Sequence, residues 1–124
     1  MRRLSVLLIV VIGCAALFAG TGASAAGGAA STQVTIEGPE GDFQGEILSS
    51  KKACLGNRQV KVYKQKGKEQ APSTDQMIAS DTSERQGDHG EWSVGNTGFK
   101  SGKFYARAGK TPSCKRGTSP TIKI

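Results

Sequence analysis

Short runs of alternating apolar and polar residues are the feature that most constrains the fold of this chain. Seven such runs follow residue 32, and they occupy 33–36, 43–47, 60–63, 77–79, 92–94, 104–106 and 122–124. Alternation with a period of two places apolar side chains on one face of a strand, and clusters rich in glycine separate the runs. Beyond residue 32, no window of ten or more residues has apolar side chains at helical spacing. The pattern predicts an all-β sandwich of seven strands, with an up-and-down barrel as the alternative.

One face of each run supplies the predicted core. The side chains expected inside are Val34, Ile36, Phe43, Ile47, Val60, Val62, Ile78, Trp92, Val94, Phe104, Ala106, Ile122 and Ile124. Tyr63 is expected on the opposite face of its strand. Trp92 shares a face with Val94, which favours a core anchor over a residue that stacks on a ligand.

The first 25 residues have the composition of an export signal. Residues 1–3 carry two arginines, residues 4–18 are almost entirely apolar, and Ala23-Ser24-Ala25 is a site of the kind that signal peptidase cleaves. The apolar run is shorter than the roughly 20 residues that a membrane-spanning helix needs. We therefore predict a helical signal peptide over 1–25, removed after Ala25 or one residue later. A retained anchor is the alternative.

A lipoprotein processing box is a second alternative for this segment. Val11-Ile12-Gly13-Cys14 fits such a box, with lipid attached to Cys14. The leader would then be short, and apolar residues follow Cys14 where a lipoprotein tether is usually polar. Small and polar residues at 26–32 predict a flexible lead-in, so the folded domain is expected over 33–124. The domain is expected to be secreted or at the cell envelope, with no membrane span after processing.

Export leaves two thiols in the mature chain. Cys54 and Cys114 allow one pairing. In the chain-entropy model, the loop that it closes stabilises the folded state by roughly 4 kcal/mol. A reactive or metal-binding thiol is the alternative, but the chain has no C-x-x-C motif and only one imidazole, that of His89. We predict a structural disulfide, which is typical of small exported domains.

A disulfide between these cysteines would bring basic side chains together from two segments. They are Lys51, Lys52 and Arg58 around Cys54, and Lys110, Lys115 and Arg116 around Cys114. No acidic residue lies within 51–58 or 110–116, and loss of the two leader arginines lowers the net charge from +7 to +5. The cluster predicts a site for an anionic cell-envelope polymer or another envelope protein. A solvated surface without a ligand is the alternative.

Several short motifs follow one another along residues 43–124. They are Phe43-x-Gly45-x-Ile47-x-Ser49, Cys54-x-x-x-Arg58-x-Val60-x-Val62-Tyr63, Ile78-Ala79-Ser80-Asp81-Thr82, Gly90-Glu91-Trp92-Ser93-Val94, Gly102-Lys103-Phe104-Tyr105-Ala106 and Cys114. Their shared order resembles small secreted bacterial domains with a prealbumin-like sandwich, relatives of transthyretin and the carboxypeptidase regulatory-like domain. The resemblance implies an Ig-like or prealbumin-like fold and a non-catalytic accessory role, structural or adhesive. Phe104 stands where such domains often have tyrosine, so a buried hydroxyl contact of the tyrosine-corner type is not expected.

Nothing in the sequence nominates a catalytic centre. His89 lies in a predicted turn, and no Gly-x-Ser-x-Gly motif accompanies it. The acidic residues before and in that turn, Asp75, Asp81, Glu84, Asp88 and Glu91, match no calcium loop. We therefore predict no enzymatic activity, no metal, no cofactor and no specific nucleic-acid recognition.

The mass of the exported protein tests the processing prediction. We expect a mature N-terminus at Ala26 or Gly27 without lipid, because the small residues at 23 and 25 fit signal peptidase. Intact-mass spectrometry of the exported chain measures this directly. A lipid-modified mass beginning at Cys14 would contradict the prediction, and a mass that includes residues 1–25 would show a retained anchor.

Overall fold

The computed structural model describes residues 28–124, which form two antiparallel β-sheets without an α-helix. The predicted signal peptide, its retained-anchor alternative, Cys14 and residues 26–27 of the lead-in lie outside the described residues. Among residues 28–124, no helix has the length and apolar character that a bilayer crossing requires. The prediction of an all-β fold with two sheets is confirmed.

Nine strands make up the two sheets. They are β1 Gln33–Val34, β2 Phe43–Leu48, β3 Gln59–Lys64, β4 Gln76–Thr82, β5 Glu84–Gln86, β6 His89–Val94, β7 Lys103–Ala108, β8 Gly117–Thr118 and β9 Ile122–Lys123. One sheet has the order β1-β2-β6-β5. The other has the order β4-β3-β7-β8, and β9 also pairs with β7. Two single turns of 3-10 helix, Pro39–Gly41 and Lys52–Cys54, lie in the connections.

The predicted number of seven strands is corrected to nine. Each of the seven alternating runs contains a strand, and β5 and β8 are the additions. All three residues of β5 are exposed, and β8 is a glycine followed by an exposed threonine. Hydrogen bonds to the backbone of a longer neighbour, β6 or β7, hold each of these strands in place. Such strands need no buried apolar side chains, so their sequences show no apolar alternation.

The core lies between the facing sides of the two sheets. Its buried members are Val34, Ile36, Phe43, Ile47, Val60, Val62, Trp92, Val94, Phe104, Ala106 and Ala108. Ile78, Ile122 and Ile124, also predicted inside, are partly buried and pack against it. The side chain of Trp92 is 2% exposed, so the prediction of a core anchor is confirmed.

Ser83 marks the point where the chain passes from one sheet to the other. It lies between β4 and β5, and its hydroxyl donates to the carbonyl of Leu55 at 2.8 Å and accepts from the backbone N–H of Arg58 at 3.1 Å. The carboxylate of Asp81 in β4 accepts from the backbone N–H of Ser93 in β6 at 2.8 Å. These bonds join the two sheets and hold the Leu55–Arg58 segment in place.

A pair of tyrosines covers the outer face of the β4-β3-β7-β8 sheet. The rings of Tyr63 and Tyr105 stack with centroids 5.3 Å apart, and the Tyr105 hydroxyl donates to Asp75 at 2.7 Å. The same carboxylate accepts from the backbone N–H groups of Lys66 and Ala71. The hydrogen bonds from Lys66, Tyr105 and Ala71 hold the pKa of Asp75 below its usual range.

This contact is different from the tyrosine-corner contact, which is not expected because position 104 is phenylalanine. Tyr105, the next residue, makes its contact on the opposite side of the sheet, where the 66–75 loop supplies the acceptor. Because side chains alternate along β7, the ring of Phe104 packs in the core and the side chain of Tyr105 contacts the 66–75 loop.

Replacement of Tyr105 by phenylalanine tests the loop anchor. We expect Tyr105→Phe to lower the free energy of unfolding by about 1 kcal/mol at pH 7, because the charged acceptor loses a donor. Since the folded-state pKa of Asp75 is lowered, this stabilisation exists above the unfolded value near 3.8 and is lost as the pH falls through the folded value. The difference between variant and wild type should therefore narrow in acid.

Urea unfolding at a series of pH values measures the difference. Tyr63→Phe is the matched control, because the Tyr63 hydroxyl makes no hydrogen bond to the described residues while its ring stacks in the same way. Equal effects of the two replacements, or a difference that stays constant down to acidic pH, would contradict the assignment.

Candidate polyanion-binding site

A buried disulfide joins two loops at one end of the sandwich. Cys54 and Cys114 are 0% and 1% exposed, and their Cα atoms are 5.7 Å apart. Cys54 closes the 3-10 turn that precedes β3, and Cys114 lies between β7 and β8. The predicted disulfide is confirmed, and it brings residues 60 positions apart into contact.

Arg58 lies beneath this disulfide and is not a surface residue. Its side chain is 1% exposed, and its Nε and Nη2 donate to the carbonyl of Gly109 at 3.3 and 2.7 Å. Nη1 donates to the carbonyl of Cys54 at 3.0 Å, and Nη2 donates to the carbonyl of Lys115 at 2.9 Å. Nη1 also donates to Oγ1 of Thr32 at 3.0 Å. Burial lowers the pKa of Arg58.

The structure therefore removes Arg58 from the predicted binding set. Its donors are engaged by backbone carbonyls and a hydroxyl, so the guanidinium has no free edge to offer a polymer. The sequence contains a signal for this placement. Arg58 is in phase with Val60 and Val62, and period-two alternation points all three side chains inward.

Part of the predicted lead-in is also bound at this end. The backbone N–H of Ala30 donates to the carbonyl of Ser113 at 2.9 Å, and the backbone N–H of Lys115 donates to the carbonyl of Ala30 at 2.7 Å. The Thr32 hydroxyl donates to the carbonyl of Lys115 at 2.6 Å. Residues 30 and 32 of the expected flexible lead-in thus hydrogen bond to the domain, because main-chain bonding does not need large side chains.

Gly117 allows this segment to pass close to β8. A Cβ atom at that position would lie 2.5 Å from the carbonyl oxygen of Thr32, closer than any side chain tolerates. The glycine thus lets Thr32 reach both Lys115 and the guanidinium of Arg58.

Five basic side chains remain at the surface around the disulfide. We call Lys51, Lys52, Lys110, Lys115 and Arg116 the basic end, and all five are exposed. In residues 28–124, the only ion pairs within 4.0 Å are those of His89 with Asp88 and Glu91. No lysine or arginine of this part of the chain is therefore neutralised by a direct carboxylate contact. The basic end presents an uncompensated positive field to the solvent.

A row of acidic side chains lies on the other sheet. Glu46 lies directly opposite Glu91, and Glu91 lies directly opposite Glu84, so a row of carboxylates crosses β2, β6 and β5. They line a groove of about 730 Å³ together with Glu37. The two ring nitrogens of His89 contact the carboxylates of Asp88 and Glu91, each at 3.0 Å. The bond to Asp88, followed by that to Glu91, raises the pKa of His89.

Comparisons with protein-family models, with curated proteins and with solved structures find no match for this chain.

Removal of the buried guanidinium tests its role. We expect Arg58→Met to lower the free energy of unfolding by roughly 3 kcal/mol or more, because the carbonyls of Cys54, Gly109 and Lys115 lose their donors. Arg58→Lys should recover little of the lost free energy of unfolding, because one ammonium group cannot reproduce the several directed N–H donors of the guanidinium. Urea unfolding of the oxidised proteins measures both.

Lys110→Met is the matched control. It removes the same charge from the same end of the molecule, but Lys110 is exposed and its side chain has no hydrogen bond to the described residues. We expect a change within about 0.5 kcal/mol. Similar losses in Arg58→Met and Lys110→Met would mean that charge alone, and not the carbonyl contacts, stabilises this end.

Proposed function

We propose that this chain is a secreted, non-catalytic β-sandwich domain that acts as an accessory module outside the cell or at its envelope. Its structural or adhesive role is to hold an anionic polymer through the basic end. The observation that carries the proposal is the grouping of five exposed cations around one disulfide, with no carboxylate of the described residues within 4.0 Å of any of them.

Strand order supports an Ig-like arrangement within the expected Ig-like or prealbumin-like class. An Ig-like sandwich sets strands A, B, E and D against C, F and G, and some members add a strand beside C. The order β1-β2-β6-β5 against β4-β3-β7-β8 follows the same plan, with β4 as the added strand. Domains of this shape host many adhesive functions, so the fold alone does not identify a ligand.

Two features support a location outside the cytoplasm. The disulfide is buried, and such bonds persist in oxidising compartments. The Ala23-Ser24-Ala25 site at the end of the apolar segment supports export. Lipid attachment at Cys14, the alternative processing, would hold the same domain at the membrane surface and leave the basic end available.

The backbone beneath the basic end supports binding. The carbonyls of Cys54 and Lys115 accept from one guanidinium, so the two segments that carry the lysines are held in a fixed relation. A fixed arrangement of charges loses less conformational entropy when it binds a polymer than a mobile tail does. The five cations lie on rigid loops and act together on one anionic chain.

Salt-dependent binding tests the proposal. We expect the mature protein to bind labelled polyphosphate with an affinity that falls steeply between about 50 and 200 mM salt, because bound cations release counterions. The variant with Lys51, Lys52, Lys115 and Arg116 all replaced by alanine should bind at least about tenfold more weakly. The plot of the logarithm of its association constant against the logarithm of the salt concentration should become less steep by roughly three to four units. Fluorescence anisotropy measures both quantities.

A variant of equal charge is the control. Replacement of Lys66, Lys68, Lys100 and Lys123 by alanine lowers the net charge by the same amount, and all four are exposed away from the disulfide. We expect this variant to keep most of the affinity. Equal losses in the two variants would contradict a localised site and leave only the net charge of the domain.

A further inference from the structure

Four hydrogen-bond donors form a straight row across the outer face of the β4-β3-β7-β8 sheet. Ser80 lies directly opposite Lys61, and Lys61 lies directly opposite Arg107. Arg107 in turn lies directly opposite Thr118. The neighbours of Lys61 and Arg107 along β3 and β7 are buried on the inner side, so the row faces outward.

The two cations in the middle of this row face each other without compensation. Side chains directly opposite on neighbouring antiparallel strands have Cβ atoms roughly 5 Å apart, and like charges at that distance destabilise a sheet. None of the four side chains hydrogen bonds to another described residue, and neither cation has a carboxylate of residues 28–124 within 4.0 Å. The row therefore consists of side-chain donors that make no hydrogen bond to the described residues, and its two central cations repel each other.

The nearest elements do not supply a counter-charge. The Asp75 carboxylate accepts from Tyr105 and from two backbone N–H groups, and the Asp81 carboxylate accepts from the backbone of Ser93. No acidic residue follows Glu91 in the sequence, so β7, β8 and β9 contribute none. Arg116, two residues before Thr118, adds a further cation beside the row and also belongs to the basic end.

We propose that Ser80, Lys61, Arg107 and Thr118 form a binding row for tetrahedral oxyanions, successive phosphate or sulfate groups of the polymer that the basic end holds, with one group between Lys61 and Arg107. This inference rests on the proposed function and names its ligand class. The fork of Arg107 alone satisfies the two coplanar oxygens of a carboxylate. A tetrahedral group has further oxygens that point elsewhere, and the ammonium of Lys61 can donate to them. Ser80 and Thr118 lie three strand spacings apart, about 14 Å, so their hydroxyls donate to neighbouring groups of the same polymer.

Three polymers distinguish the ligand chemistry. Polyphosphate carries phosphate, heparin carries sulfate, and polygalacturonate carries carboxylate alone. We expect the Lys61→Gln/Arg107→Gln variant to bind polyphosphate or heparin roughly tenfold more weakly and polygalacturonate by a smaller factor, because a carboxylate loses the fork of Arg107 but no contact with Lys61. The control, Lys66→Gln/Lys123→Gln, removes the same charge from exposed positions outside the row and should match the wild type throughout. A loss confined to polyphosphate identifies phosphate, and one confined to heparin identifies sulfate.

The outcomes separate this inference from the proposed function. If the variant with alanine at 51, 52, 115 and 116 loses binding while the Lys61/Arg107 variant does not, the row is wrong and the basic end stands. An equal loss for polygalacturonate also overturns the row as a tetrahedral site. If the wild type binds none of the three polymers, both proposals fail.

A measurement on the wild type covers the case in which the double variant does not fold. In ¹⁵N-correlated spectra, addition of polyphosphate or heparin should shift the backbone amide signals of Ser80 and Thr118. Unchanged amide signals at both positions, while those of Lys51 and Lys115 shift, would overturn the row.

Discussion

The buried guanidinium of Arg58 is the contact on which the backbone of the basic end depends. A charged group removed from water must have its donors satisfied, and here three carbonyls and one hydroxyl do so. Those acceptors belong to the lead-in, to the turn that ends at Cys54 and to the loop around Cys114. One side chain thus fixes the backbone of three segments that have no strand in common, and the disulfide closes the same junction covalently.

Separation of charge between the two sheets is the second organising feature. Carboxylates cross the outer face of β2, β6 and β5, and cations cross the outer face of β3 and β7. An exposed pair of opposite charges is worth only about 0–1 kcal/mol, so the chain loses little stability by leaving its lysines and arginines without carboxylate contacts. The electrostatic potential outside the protein becomes stronger, because the potentials of like charges on one surface add, whereas the two charges of an ion pair largely cancel each other.

Burial explains which parts of the architecture were accessible to sequence reasoning. Strands such as β2 and β6 bury every second side chain, so their period is visible in the amino-acid order. β5 and β8 bury almost no side-chain surface and are held by backbone bonds, which leave no pattern in the sequence. The charge of Arg58 suggests a surface residue, whereas its phase with Val60 and Val62 indicates the inward side that the structure shows. The hydroxyl contact of Tyr105 has no local signal, because its acceptor, Asp75, lies 30 residues away in the chain.

Local alternation is enough to identify the apolar faces of the long strands, and the count of cysteines beyond the predicted signal peptide leaves one pair of thiols. Contacts between distant residues place Arg58 inside, join Ala30 and Thr32 to the domain and set Lys61 opposite Arg107. The physical reason is that strand register and burial arise from contacts between residues far apart in the chain, and period-two alternation carries no information on which strand becomes the neighbour.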